Sequence, residues 1–388
     1  MNKKERFIAI CNGEKPDYYP IFGFNDAPGV SGGVMRVTYD RLISTGMPDI
    51  GGVWEMDGKP RNLEGWREYW GVDGPLEVTD FPKRSGEGLK YKKYIENGFE
   101  IIECETGMKT KQILDNDISY SMPEFISFHV KDREGWEFYK EKTALGAPFN
   151  TEQIKQIAKQ YENSDRPVSI RIASTFSAIR DLMGSEKAMT IFYDDPELAK
   201  DILDYQRDIN RRFYFPLIKE IKPEIVYTSE DLCYNHGMFI SPAMFNEYCA
   251  PAYKEIGEIA KETGVTMVAV DTDGFAEELV PLIEECGANA IFPWEVKSNN
   301  DLFRVRERHP EFIMLGGLEK EVLNEGNENL IEEEIMSKVP SLLKSGRYFP
   351  NGDHGIQPFV TFENLCKFMT LLHEVCKNPE GKFPRMAL

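Results

Sequence analysis

Short apolar segments alternate with amphipathic segments of helical length from about residue 150 onward. Most of the apolar runs are rich in β-branched or aromatic residues, and they lie at Pro167–Ser174, Ile225–Ser229, Thr266–Val270, Ala290–Pro293, Phe312–Leu315 and Arg347–Pro350. This alternation predicts parallel strands joined by helical crossovers. A doubly wound sheet and a (β/α)8 TIM barrel both satisfy it, and we favour the barrel. Pro20–Phe24 and Asp49–Trp54 then supply the missing early strands.

The first 150 residues follow a less regular pattern that is rich in glycine and aromatic residues. Within them, Leu89–Ile95 and Phe99–Gln112 loosely alternate apolar and polar residues on either side of Asn97-Gly98. Because Asn-Gly is typical of hairpin turns, we predict a β-hairpin over residues 89–112 in an N-terminal extension. We expect one domain over residues 1–388, with an irregular part to about residue 150 and regular βα units over about 151–377.

The overall charge excludes some classes of partner. The 388 residues carry a formal net charge of −19, so their average field repels the phosphates of nucleic acid. No segment approaches the roughly 20 apolar residues of a membrane helix, and the N-terminus lacks the apolar stretch of a signal peptide. Seven cysteines lie scattered without a C-x-x-C spacing, which indicates reduced thiols. We therefore expect a cytoplasmic protein that acts on a small molecule.

Acidic residues recur directly after the predicted strands. The ionisable side chains at these positions are Glu230, Asp231, Asp271, Asp273, Glu295, Asp353 and His354. The C-terminal ends of parallel strands meet at one rim of a barrel, and active sites of barrel enzymes lie there. Asp can also cap a helix or form a turn after a strand, so each single position has a structural alternative.

Two pairs within this set carry the strongest chemical signal. Asp271 and Asp273 are two residues apart, and residues at that spacing on a strand face the same side. Two carboxylates on one inward face are costly unless they share a proton, hold a cation or meet a basic partner. Asp353 precedes His354, whose imidazole can act as acid, base or ligand near neutral pH.

Several common catalytic motifs are absent from the sequence. It contains no P-loop, no Gly-rich dinucleotide fingerprint after a strand, no G-x-S-x-G and no H-E-x-x-H. These absences disfavour P-loop phosphoryl transfer, dinucleotide-dependent hydride transfer of the usual kind and serine hydrolase chemistry.

Motifs in fixed order along the chain resemble the uroporphyrinogen decarboxylase superfamily. They are Arg180–Gly184, Tyr193–Leu198, Glu230–Leu232 with Gly237, Ile240–Phe245, Pro251–Lys254, Gly316–Leu318 and Asp353–Gly355, and the opening Arg6-Phe7 to Pro20 is also similar to the family start. The superfamily includes methyltransferases that move methyl groups between corrinoid proteins and a thiol acceptor. The resemblance implies a (β/α)8 barrel with its cleft at the strand C-termini, and a homodimer.

The segment that follows the first strand distinguishes the two branches of this superfamily. True uroporphyrinogen decarboxylases carry Arg-Gln-Ala-Gly-Arg after it, and those arginines hold the carboxylates of the substrate. The corresponding segment here, Gly23–Gly29, has no arginine. A tetrapyrrole with eight carboxylates needs cationic partners, preferably bidentate Arg. Arg36, Arg171 and Arg180 compensate only in part, so the resemblance favours the methyltransferase branch.

The resemblance also bears on the metal. Corrinoid-linked methyltransferases have a His-x-Cys zinc pair at the end of the strand that here ends in Asp271-Thr272-Asp273. Zinc at that place activates a thiol acceptor as a thiolate. The spacing is retained in this chain, but two carboxylates bind Zn²⁺ less tightly than His and Cys do and also accept Mn²⁺, Mg²⁺ or Ca²⁺.

We therefore predict methyl transfer that involves a separate corrinoid protein, with an acidic site at the rim that binds one divalent metal (zinc or another ion) or positions the methyl acceptor. The expected residues are Asp271 and Asp273 as metal ligands, His354, Asp353, Glu230 and Asp231 as catalytic groups, and Arg171, Glu295 and Gly317 as substrate-binding groups. One alternative is cofactor-free decarboxylation of uroporphyrinogen or a smaller carboxylated substrate. A second is a non-catalytic binding module for corrinoid or tetrapyrrole.

Overall fold

The computed structural model describes residues 1–25, 29–54, 60–81, 85–114 and 123–387. Its strands are β1 (Val34–Met35), β2 (Val53–Trp54), β3 (Pro60–Arg61), β4 (Leu76–Glu77), β5 (Tyr91–Glu96), β6 (Phe99–Cys104), β7 (Lys109–Ile113), β8 (Glu124–Ser127), β9 (Val168–Arg171), β10 (Ile225–Ser229), β11 (Cys233–Tyr234), β12 (Gly237–Met238), β13 (Met267–Thr272), β14 (Ala290–Pro293), β15 (Ile313–Leu315) and β16 (Tyr348–Phe349).

The α-helices alternate with these strands in the second half of the chain. They are α1 (Lys3–Cys11), α2 (Arg36–Ser44), α3 (Leu63–Trp70), α4 (Arg133–Thr143), α5 (Thr151–Lys159), α6 (Phe176–Met183), α7 (Ser185–Asp194), α8 (Pro196–Ile209), α9 (Phe215–Ile221), α10 (Pro242–Met244), α11 (Ala250–Thr263), α12 (Val280–Glu284), α13 (Leu302–Arg308), α14 (Leu330–Ser345) and α15 (Phe362–Cys376). Among the described residues, no helix has the length and apolar character needed to cross a membrane.

A seven-stranded parallel sheet organises the fold. Its strand order is β16-β15-β14-β13-β10-β9-β4, and every neighbouring pair is parallel. Each of the six apolar runs predicted from the sequence coincides with one of these strands, and β13 extends two residues beyond the predicted run Thr266–Val270. The parallel strands and helical crossovers make this a TIM-barrel-like α/β fold, with the sheet curled around its own interior.

The segment around Phe22 lies between the two edges of this sheet. Phe22 forms a parallel bridge with Asp73, just before β4, and its ring lies 5.4 Å from that of Phe349 in β16. This agrees with the early strand expected at Pro20–Phe24. The second early strand was predicted wrongly at Asp49–Trp54, because Val53–Trp54 pairs with β1 and β3 in a separate three-stranded sheet. Leu76–Glu77 takes the place in the parallel sheet instead.

Asn351, just after β16, joins the two edges with its buried side chain. Its Nδ2 donates to the carbonyl of Phe22 at 3.2 Å and to Ser31 Oγ at 3.1 Å, and its Oδ1 accepts from the backbone N–H of Val30 at 3.0 Å. The side chain is 3% exposed, so these groups have little access to water as a substitute.

Asn351→Ala is expected to destabilise the protein by about 2 kcal/mol, because it leaves buried backbone groups without partners. Guanidinium unfolding of the variant beside Asn246→Ala, at an exposed position, measures this difference. Equal free energies of unfolding for the two variants would mean that Asn351 does not hold the edges together.

Side chains inside the curled sheet follow the strand alternation. Alternate residues of the strands contribute to one apolar cluster, which contains Ile225, Tyr227, Met267, Ala269, Ala290, Phe292, Ile313, Leu315 and Phe349. Residues of the opposite parity, such as Val226 and Val268, belong to the cluster beneath the helices. Near the upper end, the ring of Phe24 lies 4.5 Å from Tyr227 and 4.3 Å from Phe292.

Helix α1 fills the lower end of this interior. It begins with a capping box in which Asn2 and Glu5 satisfy each other's backbone N–H groups. Its Phe7, Ile10 and Cys11 join the same apolar cluster as the inward-facing strand residues. The lower end is therefore packed with side chains.

A four-stranded antiparallel sheet, β5-β6-β7-β8, is inserted after β4. The β5–β6 turn contains Asn97 and Gly98, both with positive φ (51° and 80°), as a tight hairpin turn requires. The predicted second arm, Phe99–Gln112, is not one strand, because the chain turns again between β6 and β7 around Gly107. The chain enters this insertion from the C-terminal end of β4.

Candidate functional site

Polar side chains replace the apolar interior at the upper end of the strands. Ser229 and Asp271 are paired at the ends of β10 and β13, one step above the apolar residues Tyr227 and Ala269. The hydroxyl of Ser229 donates to Asp271 Oδ2 at 3.1 Å. The upper ends of β10 and β13 therefore carry polar side chains.

Three ionisable side chains from three different strand ends converge at this rim. Asp273 follows β13, Glu295 follows β14 and His354 follows β16, and one ligand atom from each lies within 4.8 Å of the others. His354 Nε2 is 3.6 Å from Asp273 Oδ2. We call these three residues the rim triad. Asp271, which was predicted to pair with Asp273 as a ligand, does not belong to it.

The loop after β13 fixes how Asp273 and Glu295 approach each other. The N–H of Gly274 donates to Glu295 Oε2 at 2.9 Å, and Ser298 Oγ lies 3.3 Å from the same oxygen. Gly274 has φ 80°, and a Cβ there would lie 2.6 Å from the backbone of Tyr234. A glycine is thus required at position 274, where the loop passes close to the backbone of Tyr234.

The rim triad is electrostatically coupled. Burial disfavours the imidazolium of His354, but the Asp273 carboxylate outweighs it and raises the pKa of His354. Burial likewise opposes ionisation of Asp273, yet His354 lowers the pKa of Asp273. Both side chains stay partly exposed, at 27% for His354 and 44% for Asp273, so a solute can reach them.

The donor set of the rim triad fits a divalent metal ion. Two carboxylate oxygens and one imidazole nitrogen are ligands that Zn²⁺ and Mn²⁺ accept, at about 2.0–2.2 Å for zinc. The ligand atoms lie within 4.8 Å of one another, and the side chains would draw together to the roughly 3.5 Å that separates two ligands of one tetrahedral ion. Three protein ligands leave further coordination positions for a substrate or water.

Asp353 lies behind the rim triad and is fully buried. Its Oδ2 accepts from the N–H of Val296 at 2.9 Å and its Oδ1 from the N–H of Lys320 at 3.0 Å. Burial raises the pKa of the Asp353 carboxyl. Asp353 therefore connects the loops that follow β14, β15 and β16. This favours a role in holding Glu295 and His354 in place over direct contact with substrate.

Glu230 is also fully buried, behind the rim at the start of α6. Its Oε1 accepts from the N–H of Thr175 at 2.6 Å and from Thr175 Oγ1 at 2.8 Å. Burial raises the pKa of Glu230 to about 7. Its catalytic role stays a prediction, and its surroundings favour a structural one.

Asp231, the next residue, does face the cleft. It has φ 38°, its Oδ2 lies 2.7 Å from Arg180 Nη2, and its Oδ1 accepts from the N–H of Asp273 at 3.3 Å. Asp231 thus supports the rim triad through backbone contact and neutralises one of the arginines that could have bound a substrate carboxylate.

The two remaining predicted positions differ in their surroundings. Arg171 ends β9 with an exposed side chain, on the far side of the rim from β14. Gly317 has φ 79°, and a Cβ there would lie 2.4 Å from Leu302 Cδ1, so packing explains this glycine. Binding of substrate by either residue stays a prediction.

Sequence reasoning missed two groups at the rim. Glu77, at the end of β4, accepts from Tyr227 OH at 3.0 Å and from Asn25 Nδ2 at 3.1 Å. Lys320 lies close to Glu295 and Asp353, at 3.7 Å and 4.0 Å. Glu77 would have been found if the two-residue strand that it ends had been recognised, whereas no local pattern marks Lys320.

Comparison with known proteins identifies the family. The sequence model of the uroporphyrinogen decarboxylase (URO-D) family matches residues 117–375, and the chain belongs to this family. No curated protein matches the chain significantly.

A solved structure similar to this one is a methyltransferase from Methanosarcina mazei. The two chains are 16% identical and superpose with a TM-score of 0.56, over 97% of this chain and 98% of the other. At this identity the likeness establishes a shared fold over nearly the whole length.

Proposed function

We propose that this URO-D family protein transfers a methyl group in a reaction that involves a separate corrinoid protein, with the rim triad as a divalent metal site. The observation that carries the proposal is the convergence of Asp273, Glu295 and His354 from three strand ends. A metal bound there would supply Lewis-acid activation of the methyl acceptor. Asp273 and His354 would hold it, and Glu295 would complete the site.

The distribution of cations at the rim supports methyl transfer over decarboxylation of a polycarboxylate. Arg180 lies 2.7 Å from Asp231 and 3.4 Å from Asp181, so acids of the protein already neutralise it. Lys320 likewise faces Glu295. A substrate with many carboxylates would meet a rim that is rich in carboxylates itself, which is unfavourable in a half-buried cleft.

Metal-free decarboxylation remains the second candidate. The feature that favours it is the coupled pair of His354 and Asp273, because an imidazole with a raised pKa can donate a proton to a carbon that loses carboxylate. In that case the reaction would continue in the presence of a strong chelator.

Metal analysis and an activity assay test the proposal together. We expect the untagged protein to hold about one equivalent of a divalent ion and, under anaerobic conditions, to demethylate methylcobalamin in the presence of a thiol such as homocysteine. In that step the acceptor's lone pair forms the new bond to carbon while the cobalt–carbon pair stays on cobalt, and the thiol proton goes to solvent. Conversion of uroporphyrinogen to coproporphyrinogen, with no methyl transfer, would overturn the proposal.

A further inference from the structure

Lys320 lies beside the rim triad and has no part in the proposed metal chemistry. It follows Gly316-Gly317-Leu318 at the start of a short 3-10 helix, Lys320–Leu323. Its side chain is only 14% exposed, which is unusual for lysine and calls for a counter-ion. Its backbone N–H is held by Asp353 Oδ1 at 3.0 Å, so the residue has a defined position.

The ammonium group of Lys320 lies between two carboxylates. Its Nζ is 3.7 Å from Glu295 Oε1 and 4.0 Å from Asp353 Oδ1. Glu295 belongs to the rim triad, whereas Asp353 is fully buried behind it. A metal ion on the rim triad would therefore bind one partner of Lys320, Glu295, but could not reach the other, Asp353.

The position of Lys320 affects the charge balance of the rim with and without a metal ion. Without metal, Lys320 is shared by Glu295 and Asp353, and a protonated His354 would pair with Asp273, so two cations serve three carboxylates. With a divalent ion on the rim triad, the ion balances Asp273 and Glu295, and Lys320 balances Asp353. Both states avoid an unpaired buried carboxylate, whose cost would be high.

We propose that Lys320 is a built-in counter-ion that competes with the divalent metal for Glu295 and withdraws to Asp353 when the metal binds. This inference rests on the metal site of the proposed function. Lys320 is thus a positioning residue that weakens metal binding and keeps the metal exchangeable. Its four-carbon side chain can make the short move without a change in the backbone.

Zinc affinity of the metal-stripped full-length protein tests the inference. Competition against a chromogenic chelator is measured for wild type, Lys320→Met, Lys320→Gln and Lys320→Arg. We expect the two neutral variants to bind Zn²⁺ about tenfold more tightly than wild type, because a cation a few Å from the ion has been removed. Lys320→Arg keeps the charge and is expected to bind within about threefold of wild type.

Lys297→Met is the matched control. Lys297 is an exposed lysine of the same rim, but its partners are Glu319 at 2.9 Å and Glu321 at 3.3 Å, outside the rim triad. Its loss should change zinc affinity by less than about twofold, because solvent and salt screen it. Thermal unfolding checks that each variant is folded, and Lys320→Gln keeps hydrogen-bonding capacity if Lys320→Met is unstable.

The outcomes separate this inference from the proposed function. If wild type binds Zn²⁺ and neutral variants at Lys320 bind equally or more weakly, the competing role of Lys320 is wrong while the metal site stands. If neither wild type nor any variant binds Zn²⁺, the metal site is wrong and the inference falls with it.

Discussion

Asp273→Ala is expected to lose the bound metal and to lower methyl transfer by about 10²–10⁴-fold, whereas Asp271→Ala is expected to keep the metal. Asp273 supplies a rim-triad ligand atom and lies 3.6 Å from His354. Asp271 lies one step lower and accepts a hydrogen bond from Ser229. The two residues are equal in charge and two positions apart, so they form a matched pair.

Metal content by elemental analysis and initial rates of methylcobalamin demethylation measure the difference. Loss of metal in both variants would support the ligand pair expected from sequence spacing, Asp271 with Asp273, against the rim triad. Full activity of Asp273→Ala would remove the rim triad from the reaction altogether.

The free energy of unfolding of Glu230→Gln, relative to that of wild type, is expected to rise by about 3 kcal/mol between pH 5 and pH 8. Burial raises the pKa of Glu230 from 4.5 to about 7. Between these values the folded carboxyl keeps a proton that the unfolded chain has lost, so the folded state binds more protons. Stability of the wild type therefore falls with pH through this range and levels off above about pH 7, whereas the neutral amide has no such dependence.

Chemical denaturation at several pH values gives the difference between the two proteins at each pH. Glu258→Gln, on the exposed face of α11, is the surface control. A difference between Glu230→Gln and wild type that does not change with pH would contradict a neutral buried carboxyl at this position.

The sequence predicted those strands that are long enough to show a run of apolar residues. Six apolar runs became strands of the parallel sheet, and the acids after them reached one rim. Leu76–Glu77 escaped detection because two residues cannot show an alternation, and Glu77 was missed with it. The predicted arm Phe99–Gln112 covers two strands, because the turn between β6 and β7 interrupts the alternation only briefly.

The composition of the rim triad required tertiary structure. The rule that residues two apart share a face holds within a strand, but β13 ends at Thr272, and Asp273 already belongs to the loop. Likewise, a carboxylate after a strand can point into the cleft or back beneath the loops. Asp353 and Glu230 point back, as their complete burial shows, while Glu295 reaches the rim triad.

The packing of α1 into the lower end of the sheet has a kinetic consequence. Phe7, Ile10 and Cys11 of this helix occupy the end of the interior opposite the rim triad, so a ligand approaches the rim triad from the upper end. In a methyl transfer of the proposed kind, a macromolecular donor would cover that same upper end. A small acceptor would then have to bind before the donor, and its product would leave after the donor. The closed lower end of the sheet would thus determine the order of addition.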